Sequence, residues 1–472
     1  MRILLILPHH NIENYGYISH LDSDFPLALG YIAAVLQKVA NPERLEVFDC
    51  QIPKNNHASL VTLLKQRQFD LVGMSVFTPT YKSALYVATL VKQHLPHCTL
   101  MVGGPHPTLH PGDLLKHSPE IDLECIGEAE ETVAAVIPAL ANRSALRDVE
   151  GIAFRDENGV VVNKRRSQIK NLDSVPHPIR NIFPIHDYRY LPGQFHKKPI
   201  MPMLTSRGCP FRCTFCEDRV LWEKKCRFRS ANDVCDEIEE LIADFKVKEI
   251  KFFDDTFSAS KHRTVMLCEE ILRRKIKIIW RICTRVDCVD AELMALMYKA
   301  GLRSINFGIE SGSNMILQKM NKGFTTDTAR KAVAISRNAG VEVKASFILN
   351  YPGETEATIQ ETLDFVRDLD LDFVGFNLFN PWMGVEMKQY VEENYPLNEK
   401  YWNIDHASAP NIIFFYQPGL SEQFLSDSYK QAMQSHYFNF RRILRLAKRI
   451  RSTDMVLSYL DGFFRLLKIK TN

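Results

Sequence analysis

From residue 1 to about 140 the chain alternates short apolar runs with stretches whose apolar residues recur at helical spacing. RILLIL, LEVFD, LVGMSVF, TLMVGG and DLECIG read as strands; LALGYIAAVLQKVA, ASLVTLLKQ, SALYVATLVKQHL and ETVAAVIPALA read as the helices between them. Such alternation predicts a parallel sheet covered on both faces, with ligands at the carboxyl ends of the strands. Small or polar residues stand at those ends: Ser75 and Thr78, Gly103 and Gly104, Gly127 and Glu128.

GIAFRDENGVVVNKRR then reads as a hairpin turning at Asn158-Gly159, and SVPHPIRNIFP as an extended linker. From about residue 196 a second alternation begins, with strands PIMPMLTS, EIKFFDD, IIWRICTR, SINFGIES, EVKASFIL and DFVGFNLF. Six strand–helix units predict a partial barrel, since a full one needs eight. Beyond about 400 the pattern turns helical and basic. There YFNFRRILRLAKRIRSTDMVLSYLDGFFRLLKIK suits either a solvated helical cap or a surface for anionic lipid. The expected divisions are 1–145, 146–195 (hairpin and linker), 196–400 (barrel) and 401–472 (helical extension).

Composition narrows the function classes. At 472 residues two or three domains are expected, and a net charge of +3 gives no argument for nucleic acid. MRILLILPHH lacks a cleavage site and reads as a first buried strand rather than a signal peptide. No eighteen-residue apolar segment predicts a membrane span, and eleven cysteines without a regular framework point to a reducing, cytoplasmic setting. Cys50, Cys98, Cys125, Cys235 and Cys268 sit in apolar elements and are expected to be buried small residues.

The chemistry concentrates in SRGCPFRCTFC, where Cys209, Cys213 and Cys216 follow the first barrel strand at C-x3-C-x2-C spacing. Three thiolates on a tight loop can hold three irons of a [4Fe–4S] cube and leave the fourth open to a chelating small molecule. The competing reading is a zinc site completed by Cys226, His196 or another nearby group.

TSRGCPFRCTFC resembles the signature loop of the radical S-adenosylmethionine enzymes, and its place after the first strand of a six-unit barrel is where that family carries it. The resemblance implies that S-adenosylmethionine chelates the open iron and that one electron cleaves it to a 5′-deoxyadenosyl radical. It also implies roles for particular residues. Phe215 lies in the signature loop itself. Asp254 and Asp255 would meet the methionyl amino group, unless they only cap the next helix, and Arg281 or Arg285 would pair with the carboxylate. Glu310 and Ser311 would face the ribose hydroxyls. Pro352 and Gly353 would shape the adenine pocket or serve only as a turn.

The first half resembles the cobalamin-binding domain fused ahead of such barrels, through FPLALGYIAAVL, GMSVFTPT, VGGPHPT and IGEAEET. Ser75, Thr78, Gly103, Gly104, Gly127 and Glu128 are then the expected cobalamin contacts. Aligning His10 to the cobalt-binding histidine of the Asp-x-His-x-x-Gly motif puts Pro8 at the aspartate and Glu13 at the glycine, so no histidine is expected below the cobalt. A nicotinamide or flavin domain would show G-x-G-x-x-G where LPHHNIENYG stands.

The whole resemblance implies a cobalamin-dependent radical S-adenosylmethionine enzyme that methylates an unactivated carbon. The alternatives are a tetrapyrrole cyclase of the anaerobic magnesium-protoporphyrin monomethyl ester cyclase kind and a zinc-stabilised binding protein. A small-molecule substrate and a flavodoxin- or ferredoxin-type electron donor are the implied partners, with peripheral membrane contact open for the basic end. Phe379, Trp382 and Met383 suggest either a partly hydrophobic substrate pocket or core packing.

Overall fold

A computed structural model describes residues 1–9, 24–188, 190, 193–223, 225–381, 385–399, 413–450, 453–460 and 462. The chain divides into two compact units, the first reaching Arg189 and the second starting at Tyr190.

In the first unit β1 (Arg2–Leu7), β2 (Arg44–Asp49), β3 (Leu71–Ser75), β4 (Thr99–Gly103) and β5 (Leu123–Cys125) form a parallel sheet in the order β2-β1-β3-β4-β5. Its central strands are apolar on both faces because helices cover both: Leu4, Ile6, Val72 and Leu100 are buried on one face and Ile3, Leu5, Leu71 and Met101 on the other. The order reverses between β1 and β3, where a doubly wound sheet opens its ligand crevice at the strands' carboxyl ends.

The hairpin forms as expected, with β6 (Ile152–Asp156) antiparallel to β7 (Gly159–Val162) across a turn that puts Gly159 at φ +120. It does not stand apart with the linker: β6 also pairs antiparallel with β5, so the hairpin completes a seven-stranded sheet. Pairing satisfies the backbone groups that the edge of β5 would otherwise expose. Cys50, Cys98, Cys125, Cys235 and Cys268 are all buried, and burial pushes the first two thiols up to about 12 and about 11, which makes them inert.

In the second unit β8 (Ile200–Met203) is followed by a two-residue ladder of β9 (Ser206–Arg207) with β10 (Arg227–Phe228). Then come β11 (Glu249–Phe252), β12 (Ile279–Thr284), β13 (Leu302–Glu310), β14 (Glu342–Leu349) and β15 (Phe373–Leu378). β8 and β11 to β15 are all parallel and lie in the order β15-β14-β13-β12-β11-β8, the expected six-stranded partial barrel. Ser230, Ser260, Asp290 and Thr355 cap the N-termini of helices that return between strands, each side chain accepting from a backbone N–H in the first turn.

The helical end closes the β15 edge. On the helix Glu422–Tyr437, the Tyr437 hydroxyl donates to the Val374 carbonyl at 2.8 Å and accepts from its N–H at 3.2 Å. On the following helix Phe440–Arg449, Arg445 pairs with Asp370 at 2.6 Å and Arg442 donates to the Leu369 carbonyl at 3.0 Å. These two arginines therefore act as the cap's fastenings. Among the described residues no helix is long and apolar enough to cross a membrane.

Candidate cofactor sites

The cysteine loop is built on a glycine that nothing else can replace. Gly208 has φ +88, and a Cβ there would lie 2.1 Å from the Lys225 carbonyl oxygen across the β9–β10 ladder. Its base is anchored by Asp254 at the end of β11, whose carboxylate accepts from the Thr205 N–H at 2.8 Å and from the hydroxyls of Thr205 and Ser206. Its far side is tied by Thr214, which bonds the Tyr351 hydroxyl at 2.6 Å and donates its N–H to the Met320 carbonyl at 3.1 Å. Gly208→Ala is expected to cost at least ~2 kcal/mol from backbone strain alone. It should also lower cluster incorporation, checked by denaturant melts and iron content.

The three thiols lie in a pocket rich in negative groups. Cys209 Sγ is 3.3 Å from the Thr256 hydroxyl, and Arg285 Nη1 donates toward Cys213 Sγ at 3.5 Å while its guanidinium stacks 3.8 Å over Phe211. Burial, with Asp218 adding repulsion, pushes the Cys216 thiol far up; burial likewise raises Cys209. Burial and then Asp218 raise Asp255 to about 8 and Glu217 to about 7. Two thiols and two carboxyls whose ionisation is held back suit a strongly electropositive guest, since bound iron inverts this cost and favours thiolates. The donor set therefore fits an iron–sulfur cluster.

Of the fourth ligands considered for a zinc site, His196 is held away from the cysteine loop. His196 lies at the start of the strands, where Arg281 Nη2 meets its Nδ1 at 3.0 Å and Glu249 is 3.5 Å away. Among the described residues no three His, Cys, Asp or Glu side chains are gathered tightly enough for a single metal ion.

The expected S-adenosylmethionine residues separate into two ends of the barrel. Phe215 packs edge-on to Tyr351 at 6.5 Å, and Arg285 contacts the cysteine loop. Glu310 sits on a bulge of β13 with φ +76, 3.5 Å from the buried Lys322 ammonium, and burial raises its carboxyl. Ser311 bonds the Thr362 hydroxyl at 3.2 Å and accepts from the Ser313 N–H at 3.1 Å, so it shapes the loop after β13. Pro352 and Gly353 form a turn after β14. Gly353 has φ +86, donates its N–H to Gln417 at 2.6 Å, and accepts from Lys319 at 3.2 Å.

Arg281 is not brought to this end. It lies at the opposite, amino end of the strands, donating to Glu249 at 2.8 Å and to the Gly193 carbonyl at 2.7 Å. Glu249 also accepts from the His196 and Lys197 N–H groups at 2.5 and 2.7 Å. Between the two arginines, only Arg285 stands near the cysteines. Sequence reasoning missed Thr205, Thr256, Lys322 and Gln417, which reach the site from loops and lie in no periodic pattern.

In the first unit, Gly104 has φ +106, and a Cβ there would come within 2.9 Å of the Val76 carbonyl, so the chain between β3 and β4 closes tightly around it. Ser75 Oγ lies beside it, 3.2 Å from that Cβ position. Thr78 Oγ1 bonds His106 Nδ1 at 3.2 Å, and His106 Nε2 faces Asp113 at 3.3 Å, a buried relay that VGGPHPT contained without announcing. Gly103 contributes its carbonyl to the Val76 N–H at 2.7 Å. Gly127, at φ +82, donates to Thr108 at 2.9 Å, and Glu128 accepts from the Ile169 N–H at 2.8 Å. Glu128 thus fastens the segment after the hairpin. Glycine at 103 and 104 lets the carboxyl ends of β3, β4 and β5 pack closely, beside the β1/β3 reversal where a doubly wound sheet takes its ligand, which is the place a corrin would occupy. His10, Trp382 and Met383 lie outside the described residues.

Residues 22–137 match the B12 binding domain and residues 203–366 the Radical SAM superfamily. The chain belongs to the B12-binding-domain radical SAM enzymes. This radical SAM chain is 29% identical to an uncharacterized methyltransferase of Pyrococcus horikoshii, over 85% of each chain. It is 28% identical to the anaerobic magnesium-protoporphyrin IX monomethyl ester cyclase of Rubrivivax gelatinosus, over 81% of this chain and 68% of that one. Its fold matches OxsB, a cobalamin-dependent S-adenosylmethionine radical enzyme with aqua-cobalamin and S-adenosylmethionine bound. There the TM-score is 0.75 and the identity 20%, over 99% of this chain and 72% of that one. The methyltransferase TsrM from Kitasatospora setae gives a TM-score of 0.70 at 18% identity, over 92% and 88%.

Proposed function

We propose that this radical SAM enzyme methylates an unactivated carbon of a small molecule. The observation that carries the reading is a three-cysteine loop at C-x3-C-x2-C spacing inside a radical SAM match, in one chain with a B12 binding domain. Cys209, Cys213 and Cys216 hold the cluster, and S-adenosylmethionine fills its open position. Arg285 offsets negative charge at Cys213 and is the partner for the methionyl carboxylate. Glu310, kept on the strand bulge by Lys322, accepts from the ribose hydroxyls. Ser75, Thr78, Gly103 and Gly104 line the corrin cradle, with His106 orienting the Thr78 hydroxyl. When bound, the cluster supplies one electron for cleaving S-adenosylmethionine and the corrin supplies a transferable methyl group. A flavodoxin- or ferredoxin-type protein is the electron source, and the cytoplasm is the setting.

Relatives that support methyl transfer include the Pyrococcus protein and the cytidylyl-2-hydroxyethylphosphonate methyltransferase of Streptomyces wedmorensis, 25% identical over 77% of each chain. The cyclase relatives favour a second reading, oxidative ring closure on a tetrapyrrole, with the same two cofactors. Anaerobic incubation with candidate substrates and methyl-labelled S-adenosylmethionine separates them. Label in the product is expected; product carrying oxygen-18 from water and no label would replace methylation with the cyclase chemistry.

A further inference from the structure

Along β12 to β15 the side chains alternate between two faces. On one, Ile282, Ile305, Val343 and Phe376 are buried and apolar. On the other stand Cys283, Asn306, Ser346 and Asn377, and Cys283 and Asn377 are exposed although they lie within strands of a parallel sheet. Parallel strands are ordinarily covered on both faces, so exposure inside them marks an open barrel interior. The face is continuous in register: Cys283 beside Asn306, Asn306 beside Lys344, Ser346 beside Gly375, Ile348 beside Asn377. Asn306 Nδ2 reaches Ser346 Oγ at 3.4 Å and Cys283 Sγ at 3.7 Å. A Cβ added at Gly375 would meet nothing within 4 Å.

Lys344 lies at the floor of that space. Its ammonium is 3.4 Å from Glu342 Oε1, an oxygen that already accepts the Ser304 hydroxyl at 3.0 Å, and 5.1 Å over the Phe373 ring. Burial, and then repulsion from Arg281 beneath it, hold the ammonium down to about 8. A desolvated cation with one long ion pair, and another cation behind it, is stabilised by an anion arriving from the open side.

We propose that the floor of this interior seats an anionic oxygen group of the substrate, a carboxylate or phosphate of a small molecule, on Lys344 flanked by Asn306 and Ser346. The assignment rests on the reading of this barrel as the seat of the radical chemistry. Cys283 lies on β12 two residues before Arg285, which follows the strand's end, about 7 Å at the usual rise. A molecule anchored at the floor therefore extends its remaining atoms toward the cysteine loop, where Arg285 meets Cys213.

The test titrates the reconstituted, cobalamin-loaded full chain with inorganic phosphate and, separately, with succinate at constant ionic strength, by calorimetry. Saturable binding of either anion is expected, weakened about tenfold or more by Lys344→Gln, because a charge-assisted hydrogen bond is lost. Asn306→Asp, beside Lys344 in register, should weaken it several-fold by like-charge repulsion, and this half-buried position keeps the test alive should Lys344→Gln not fold. Phosphate binding alone assigns a phosphoryl group, and succinate binding alone a carboxylate. Absence of saturable binding for both anions, or binding that the folded variants retain unchanged, overturns the proposal. Formation of 5′-deoxyadenosine by the same wild-type preparation reports separately on the radical reading. Deoxyadenosine without anion binding removes the site and leaves the chemistry; anion binding without deoxyadenosine removes the chemistry.

Discussion

Alanine at Cys213 is expected to abolish cluster assembly: after anaerobic reconstitution the variant should lose the brown charge-transfer absorption and fall well below the about four irons per chain of a full cube. The loss follows from the donor count. With three thiolates the protein supplies one ligand to each of three irons, and a two-thiolate remnant leaves half the cube uncoordinated. Cys209→Ala and Cys216→Ala should behave alike. Cys226→Ala supplies the contrast, because Cys226 is half-buried just before β10, near enough to Cys209 for their thiols to repel, and would be the fourth ligand of a zinc or four-thiolate site. It should keep its iron. Iron analysis and absorption spectra across the four variants decide this, and a cluster lost in Cys226→Ala but kept in Cys213→Ala would sink the three-ligand account.

Replacing Arg281 by methionine should cost ~3–5 kcal/mol of stability, the usual consequence of leaving a buried carboxylate without its partner. Glu249 is 1% exposed and accepts from Arg281 and from two backbone N–H groups. Arg285→Met should cost less, because its carboxylate partner Asp287 still reaches solvent, yet weaken S-adenosylmethionine binding. The pH dependence has a definite sign. Arg281 and His196 outweigh the burial of Glu249 and bring its carboxyl from the ordinary 4.5 to about 2. A depressed carboxyl stabilises the fold above 4.5 and loses that stabilisation as pH falls toward 2. The contribution is ~3 kcal/mol at neutral pH, taken as a folded-state shift of that size. His196 is raised by Glu249 and Glu342 despite its burial, so its contribution is present below 6.5 and lost as pH rises through the raised value. Melts of wild type and Arg281→Met between pH 2 and 9 check both. Equal stability of the two proteins at neutral pH would contradict the network.

Periodicity made most of the fold legible. The two strand–helix alternations, the hairpin turn at Asn158-Gly159 and the six-stranded barrel all follow from local pattern, because each buried strand must be apolar and each covering helix must show one apolar face. What pattern could not carry was the partner of an edge. The hairpin's own turn is local, but its pairing with β5 is a contact between distant segments, and the sequence read as a separate linker region. Depth along a strand was equally hidden. Arg281 and Arg285 fall on the same face by the two-residue period, yet four residues span about 13 Å, so one seals the floor and the other meets the cysteines. Asp254 was legible as a site residue and not as what it does: it holds Thr205 and Ser206, the backbone under the loop. Thr256, Lys322 and Gln417 arrive through loop geometry, for which there is no period to read. His106 was inside a quoted motif, and only its burial between Thr78 and Asp113 distinguishes it from a surface histidine.

The most direct test reduces the reconstituted, cobalamin-loaded full chain with dithionite, adds S-adenosylmethionine under anaerobic conditions, and quantifies 5′-deoxyadenosine. Deoxyadenosine should form in wild type and be absent in Cys213→Ala. A wild-type protein with a full complement of iron that forms none would contradict the account.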